Sequence, residues 1–216
     1  VTGILNIAEF MKKLLLSLLL CLPVLVLAKE KDDSKYLAGA VPEENGIVKF
    51  QQTFSVPGKS KQEIFNVMSA YVQQVVDAAQ PGQRTRILQS DAAGGEIVAR
   101  IEEWMEFKKK PLYWDRTRFR YQLIVQCSDG KCRMEITQIS YYYEEDMEGN
   151  NGRTYKAEEW ITDKEALNKA KTKLLLGSAK FRRKTVDRVE TLFETAREAF
   201  ETPVPEKKRA TQLIKE

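Results

Sequence analysis

Histidine is missing from this 216-residue chain. Its absence removes the Ser-His-Asp and Cys-His catalytic systems and the commonest zinc ligand together. An enzyme built on this sequence would depend on carboxylates, tyrosine, lysine or a cofactor, and no residue set points to a cofactor. Cysteine is scarce, at three residues, and charge of one sign is lacking: 35 basic residues face 31 acidic ones, interspersed along the chain, for a net charge of +4. Such a balance offers no electrostatic argument for nucleic acid. Nor does any apolar run reach the roughly 20 residues that a membrane-spanning helix needs.

The longest apolar run is nevertheless informative. Met11-Lys12-Lys13 precedes a leucine-rich stretch that ends at Val26-Leu27-Ala28, the pattern of positive end, short apolar core and small-residue cleavage site that marks an export signal. Residues 11–28 are therefore expected to be a signal peptide, leaving a mature protein from Lys29 in the periplasm or outside the cell. The alternatives are an uncleaved anchor and a lipoprotein anchored at Cys21, although Leu18-Leu19-Leu20 stands where a lipoprotein signal wants a small residue. Membrane association is expected only by these routes. Residues 1–10 put an apolar stretch with Glu9 ahead of the positive end, and are expected to be a spurious upstream extension.

Past a linker over residues 29–45, the periodicity of the chain changes. Val48, Phe50, Phe54 and Val56 alternate as in a half-buried strand, closed by Pro57-Gly58. Ser60 and Glu63 form a capping box, and Ile64, Phe65, Met68, Val72, Val75, Val76 and Ala79 make one apolar helical face up to Pro81-Gly82. A short strand over 84–89, a turn at Ala92-Ala93-Gly94-Gly95 and a strand carrying Ile97, Ala99 and Ile101 follow. Lys108-Lys109-Lys110-Pro111 is expected to turn. Beyond it Phe119, Tyr121, Leu123, Val125 and Cys127 point one way, and Trp114, Arg116, Arg118, Arg120 and Gln122 the other. Asp129-Gly130 predicts a type I′ hairpin into a return strand over 132–143.

After an acidic, glycine-rich loop, 163–174 has helical composition, ended at Gly177-Ser178. The seam Val186, Val189, Phe193, Ala196 and Phe200 predicts a long final helix, stopped by Pro203 and Pro205. A charged tail over 201–216 should be mobile. Strand, helix, four antiparallel strands and helical material imply an α+β domain, a curved antiparallel sheet with helices on one face and the other face exposed.

Gly46-Ile47-Val48-Lys49-Phe50, the run from Gly58 to Phe65 and the 127–143 hairpin resemble an exported family of anaerobic gut bacteria, described as a domain of unknown function with a TBP-like fold. Ala157-Glu158-Glu159-Trp160-Ile161-Thr162-Asp163 and 180–187 resemble the extension such proteins carry. The resemblance implies a TBP-like domain over 46–143 with an acidic loop and helical extension over 144–200. It does not import DNA binding, because a fold alone does not fix function.

Candidate sites then follow. Cys127 and Cys132 fall opposite each other in the hairpin as a non-hydrogen-bonded pair, the closer of the two antiparallel pair types. In an oxidising compartment they are expected to form a disulfide, with about 1 to 2 kcal/mol of stabilisation from so small a loop. The competing arrangement is two reduced cysteines packed beside Leu123, Val125, Met134 and Ile136. Arg116, Arg118 and Arg120, flanked by Trp104 and Trp114, form a basic stripe on the exposed face. Pairing with the preceding strand brings Glu102 alongside as a cross-strand charge partner; the stripe is either ion-paired surface or a partner-binding surface, for which arginine and tryptophan are favoured anchors.

Gly58-Lys59-Ser60 imitates the end of a phosphate loop, but Thr53 occupies the place of its first glycine, and the helix start explains these residues. Glu144, Glu145, Asp146 and Glu148 lack the spacing of a calcium loop, and no metal site is expected. Glu102, Glu103 and Glu106 are the carboxylates available to hydrolytic chemistry, with nothing to single out an acid and a base. The function these features point to is a non-enzymatic, exported binding module whose partner is an envelope protein or other envelope component. The alternative is a carboxylate-dependent hydrolase of glycans or peptides.

Overall fold

The computed structural model describes residues 32–111, 113–143 and 152–201. The export signal, Cys21, nearly all of the acidic loop and the charged tail lie outside the described residues. Residues 33–201 build an antiparallel sheet from β3 (Phe50–Ser55), β4 (Arg86–Asp91), β5 (Glu96–Lys110), β6 (Tyr113–Ser128), β7 (Lys131–Tyr143) and β8 (Arg153–Lys156). The strand order is β3-β7-β6-β5-β4, with β8 pairing the end of β7 beyond β3. The helices are α1 (Lys61–Asp77), the single turns α2 (Ala157–Trp160) and α3 (Asp163–Ala166), and α4 (Leu176–Glu201).

The expected α+β architecture is what forms. Alternation along β6 buries Thr117, Phe119, Tyr121, Leu123, Val125 and Cys127 on one side, and α1 and α4 cover that side with Ile64, Phe65, Met68, Val189, Leu192 and Phe193. Helix α1 starts where the sequence places it: the Ser60 side chain accepts from Glu63 N–H while Glu63 Oε2 accepts from Ser60 N–H at 2.9 Å. Phe181 of α4 holds the lower core, its ring 4.6 Å from Phe107, 5.1 Å from Tyr141 and 5.4 Å from Trp160.

Several expectations are corrected. The lysines 108–110 do not turn; they continue β5, Lys110 pairs with Tyr113, and the chain reverses at Pro111. Helix does not span 163–174: α3 is one turn, and the chain then loops back so that Leu167 bridges Leu174. Gly177 and Ser178 lie inside the first turn of α4 instead of breaking a helix. At the Asp129-Gly130 hairpin only Gly130 takes a positive φ, +70°, so the turn is not type I′. Asp129 is engaged elsewhere, accepting Lys61 N–H at 2.7 Å, while Gly130 N–H donates to Lys59 O. The register of the hairpin is unaffected, and Cys127 faces Cys132.

The segment expected as a linker is packed. Tyr36 and Val41 are buried, and Asn45-Gly46, with φ of 52° and 78°, turns a small hairpin between β1 (Glu43–Glu44) and β2 (Ile47–Val48). It is held by Arg182 of α4, a fully buried arginine that donates at 2.6 Å to the carbonyls of Tyr36, Leu37 and Ile161 and at 2.7 Å to Asp163 Oδ1. Arg183 pairs with Asp33 beside it. One residue of α4 thus ties the N-terminal segment, α2 and α3 together. A buried guanidinium is tolerated only when its donors are this fully engaged.

Candidate functional site

Even-numbered residues of β6, and those of β5 as far as Glu106, face away from the helices; pairing places Glu102 opposite Arg120, Trp104 opposite Arg118 and Glu106 opposite Arg116, and the register shift beyond Glu106 brings Lys109 opposite Trp114. The result is a ladder of rings and cations along the open face. The Arg116 guanidinium sits between two indoles, 3.7 Å from the Trp104 ring centroid and 4.1 Å from that of Trp114. Arg118 lies 4.7 Å from Trp104, Lys109 4.3 Å from Trp114, and Arg120 5.1 Å from Tyr142. Each such contact is worth about 0.5 to 1 kcal/mol at an exposed site. All five residues singled out in the sequence as a surface are therefore brought together.

Glu102 closes one end. Only 3% exposed, it accepts from Arg118 at 3.0 Å and Arg120 at 2.7 Å. Burial pushes its carboxyl up, but the two arginine hydrogen bonds more than offset that and hold its pKa below the usual carboxylate value. Arg118 and Arg120 are in this way partly neutralised. At the other end Trp114 is 41% exposed and carries Arg116 between itself and Trp104.

The three candidate carboxylates are not gathered. Glu102 and Glu106 belong to the open face, whereas Glu103 points to the helices and makes a bidentate pair with Arg188 of α4, both contacts at 2.8 Å. Burial pulls the Arg188 guanidinium toward neutrality, and the hydrogen bonds to Glu103 outweigh it and hold its pKa above the usual value. Beside this pair the Tyr121 hydroxyl is buried with no hydrogen-bond partner of good geometry among the described residues, and burial raises its pKa well above the usual phenol value. A groove of about 450 Å³ lies between the end of α1, β5 and α4, lined among others by Gln80, Gln83, Glu103, Trp104, Glu106 and Arg188. Among the described residues no group of three or more cysteine or carboxylate side chains is placed to hold a metal ion.

The disulfide expected at Cys127 and Cys132 is not formed in this structure. The two are a register pair, and Cys127 N–H donates to Gly95 O on the opposite side, which makes them the close, non-hydrogen-bonded pair type. Both are free, buried thiols on the core face, the competing arrangement. They share a hydrogen bond, which favours the Cys127 thiolate and, with burial, pushes the Cys132 thiol up. Close backbone approach here also fixes Gly95: at φ +74°, a Cβ would stand 2.5 Å from Cys127 O.

Sequence reasoning missed the groove, the Glu103–Arg188 pair and the Arg182 clamp. The alternation of β5 contained a signal for the pair, since Glu103 falls in phase with Ile97, Ala99, Ile101 and Met105 on the buried side.

Known proteins supply the last observations. Among curated proteins, none matches the chain. Residues 50–142 match the family model described as a domain of unknown function (DUF4468) with TBP-like fold. A TBP-like protein from Parabacteroides distasonis is 23% identical with a TM-score of 0.62, over 76% of this chain and 99% of its own, which supports the fold. A crystal structure of a DUF4468 family protein from Bacteroides ovatus is 43% identical, with a TM-score of 0.73, and the alignment covers 81% of this chain and 98% of that one. That identity over nearly the whole of its relative, with the family model matched across the sheet, places this chain in the DUF4468 family of TBP-like fold.

Proposed function

We propose that this protein is an exported, non-enzymatic interaction module of the cell envelope, and that the open sheet face bearing Trp104, Trp114, Arg116, Arg118 and Arg120 is where it meets an envelope protein or other envelope component. The observation that carries this reading is the Arg116 guanidinium held between Trp104 and Trp114. Large rigid rings and a stacked arginine, aligned on a strand pair with Trp114 exposed and the others half-buried, are the side chains that supply most binding energy at protein interfaces. The stacking removes much of the arginine's rotamer freedom in advance, which lowers the entropic cost of association.

The hydrolase alternative is less well supported by the groups present. A general acid needs a carboxyl raised toward neutral pH, whereas Glu102 and Asp163 are both held below the usual range, Asp163 by the Arg182 and Gly39 hydrogen bonds that overcome its burial.

The test is chemical crosslinking in the intact envelope followed by recovery of the protein, wild type against Arg116→Glu. A partner recovered with wild type and lost with the variant, whose circular dichroism shows that it remains folded, supports the face. Equal recovery with both removes it. Export itself is checked by sequencing the N-terminus of the recovered material, which should begin at Lys29. In that compartment the facing thiols of Cys127 and Cys132 would oxidise to a disulfide. Labelling of both thiols in the native exported protein without prior reductant would refute that step.

A further inference from the structure

The sheet has an edge that is only partly covered. β4 pairs with β5 through Arg100 and no further. At the next outward position Thr85 substitutes for a strand: Glu102 N–H donates to Thr85 Oγ1 at 2.8 Å, and the same hydroxyl donates to Glu102 O at 2.9 Å. Antiparallel pairing sends backbone groups alternately to each side. Since Glu102 points outward, Trp104 and Glu106 do too, and among the described residues no hydrogen bond takes up their outward N–H and C=O groups. The groove described above is lined by four consecutive residues of β5, 103 to 106. Consecutive strand residues have side chains on opposite faces, so a cavity that reaches all four lies against the strand's edge. Helix α4 forms its second wall, with Lys184, Asp187 and Arg188.

We propose that this edge is a strand-addition site, and that its occupant is an extended acidic peptide segment of a partner protein, pairing with Trp104 and Glu106 in the groove against α4. The proposal rests on the reading of this protein as an interaction module and names how its partner engages it. Unpaired edge groups are a template for another strand. Charge selects which strand. Glu103 in the groove is neutralised by Arg188 and Asp187 by Lys35, which leaves Glu106 as the groove carboxylate without an ion pair among the described residues. Against it stand Lys184 on the helix wall and Lys108, Lys109 and Lys110 along the exposed continuation of the edge, none ion-paired among the described residues. Edge lysines and the bulge at Phe107 discourage indiscriminate strand pairing. The same lysines leave the edge attractive to a segment of opposite charge, so specificity and protection come from one feature.

The probe is an array of octapeptides alternating glutamate with valine or threonine, beside a matched array with lysine for glutamate, titrated against the full chain by fluorescence anisotropy. Acidic members should bind, lysine members should not, and amide exchange should slow at Trp104 and Glu106 while Met105, already paired to β6, is unaffected. Glu106→Pro removes an outward N–H that β6 does not use, a substitution edge strands tolerate, and should weaken binding by about tenfold or more at unchanged melting temperature. Lys184→Glu should weaken it independently of any backbone effect. Equal binding of both arrays or none of either, an unchanged affinity in Glu106→Pro, or a concentration-dependent dimer that this variant abolishes would each overturn the proposal, the last by making a second copy the occupant. In the envelope crosslinking experiment, a partner kept by Glu106→Pro but lost by Arg116→Glu overturns the edge and leaves the open face. One kept by both variants overturns both.

Discussion

Arginine appears in two settings in this molecule, and the contrast shows how one side chain can be a buried clamp in one place and a stacked surface group in another. Arg182 is fully buried, and three backbone carbonyls and Asp163 surround its guanidinium. Arg116 lies on the open face with indoles on either side. The first has its donors consumed by hydrogen bonds directed in the guanidinium plane. The second is held by its planar faces, and stacking fixes the direction of its guanidinium plane on the sheet surface. Arg118 and Arg120 are intermediate, since they stack on Trp104 and Tyr142 and also share Glu102.

The largest effect expected from this contrast is at Arg182. Arg182→Met fills similar space but takes the donor from three carbonyls and from Asp163 Oδ1, leaving Asp163 only Gly39 N–H and Lys171, and should cost about 3 to 5 kcal/mol, the range for breaking a buried charge pair. Chemical denaturation of the full chain measures it. Arg182→Lys should recover only part of the loss, because an ammonium cannot span acceptors arranged around a planar fork. A cost for Arg182→Met below about 1 kcal/mol would mean the clamp is no stronger than a surface pair, and the distinction between the two arginine settings would fail.

Glu102 gives the next effect, with a pH signature. Its folded pKa, like that of Asp163, lies below the ordinary carboxyl value, so the unfolded chain binds more protons as pH falls through this range. The stability these groups contribute is present above the unfolded carboxyl pKa of about 4 and is lost as pH drops through the lower folded values. Thermal melts from pH 6 downward should therefore show a steep loss below about pH 4. Glu102→Gln should lower the melting temperature at neutral pH, where Arg118 and Arg120 lose their shared counter-charge, and should flatten the acid loss. A variant whose acid profile parallels wild type would assign that loss to other carboxylates.

The open face was far more legible in the sequence than the clamp. Period-two alternation through Trp114, Arg116, Arg118, Arg120 and Gln122 assigns a face directly, and the preceding strand had to return alongside it, so Glu102 and Trp104 followed from topology. Arg182 gave no such signal. It sits among Lys180, Arg183 and Lys184 in a basic helical run, and only the tertiary contacts of residues 36, 37, 161 and 163 distinguish it from its exposed neighbours. The packed N-terminal segment was obscured for the same reason, although Asn45-Gly46 is a strong hairpin signal in its own right. Lysines 108–110 misled because a charged run before proline reads as a turn, while the pairing of Lys110 with Tyr113 lets the strand run to its end. At the cysteines the register was readable and the redox state was not, since the compartment sets that state.

The smallest stability effects, and the sharpest functional one, are expected at the Arg116 stack. Arg116→Ala removes two stacking contacts on a solvent-facing surface, and should cost about 1 to 2 kcal/mol at most if both contacts contribute fully. Trp114→Ala should cost less, because its ring is already substantially exposed and Lys109 can shift to water. Arg116→Lys keeps the charge and loses the planar stack, so it separates charge from geometry. If the face binds through preorganised stacking, Arg116→Lys should lose the envelope partner almost as completely as Arg116→Ala while folding as wild type. If charge alone matters, the lysine variant should retain it, and the ladder would then be a means of keeping tryptophan covered on an exposed sheet instead of a means of presenting arginine.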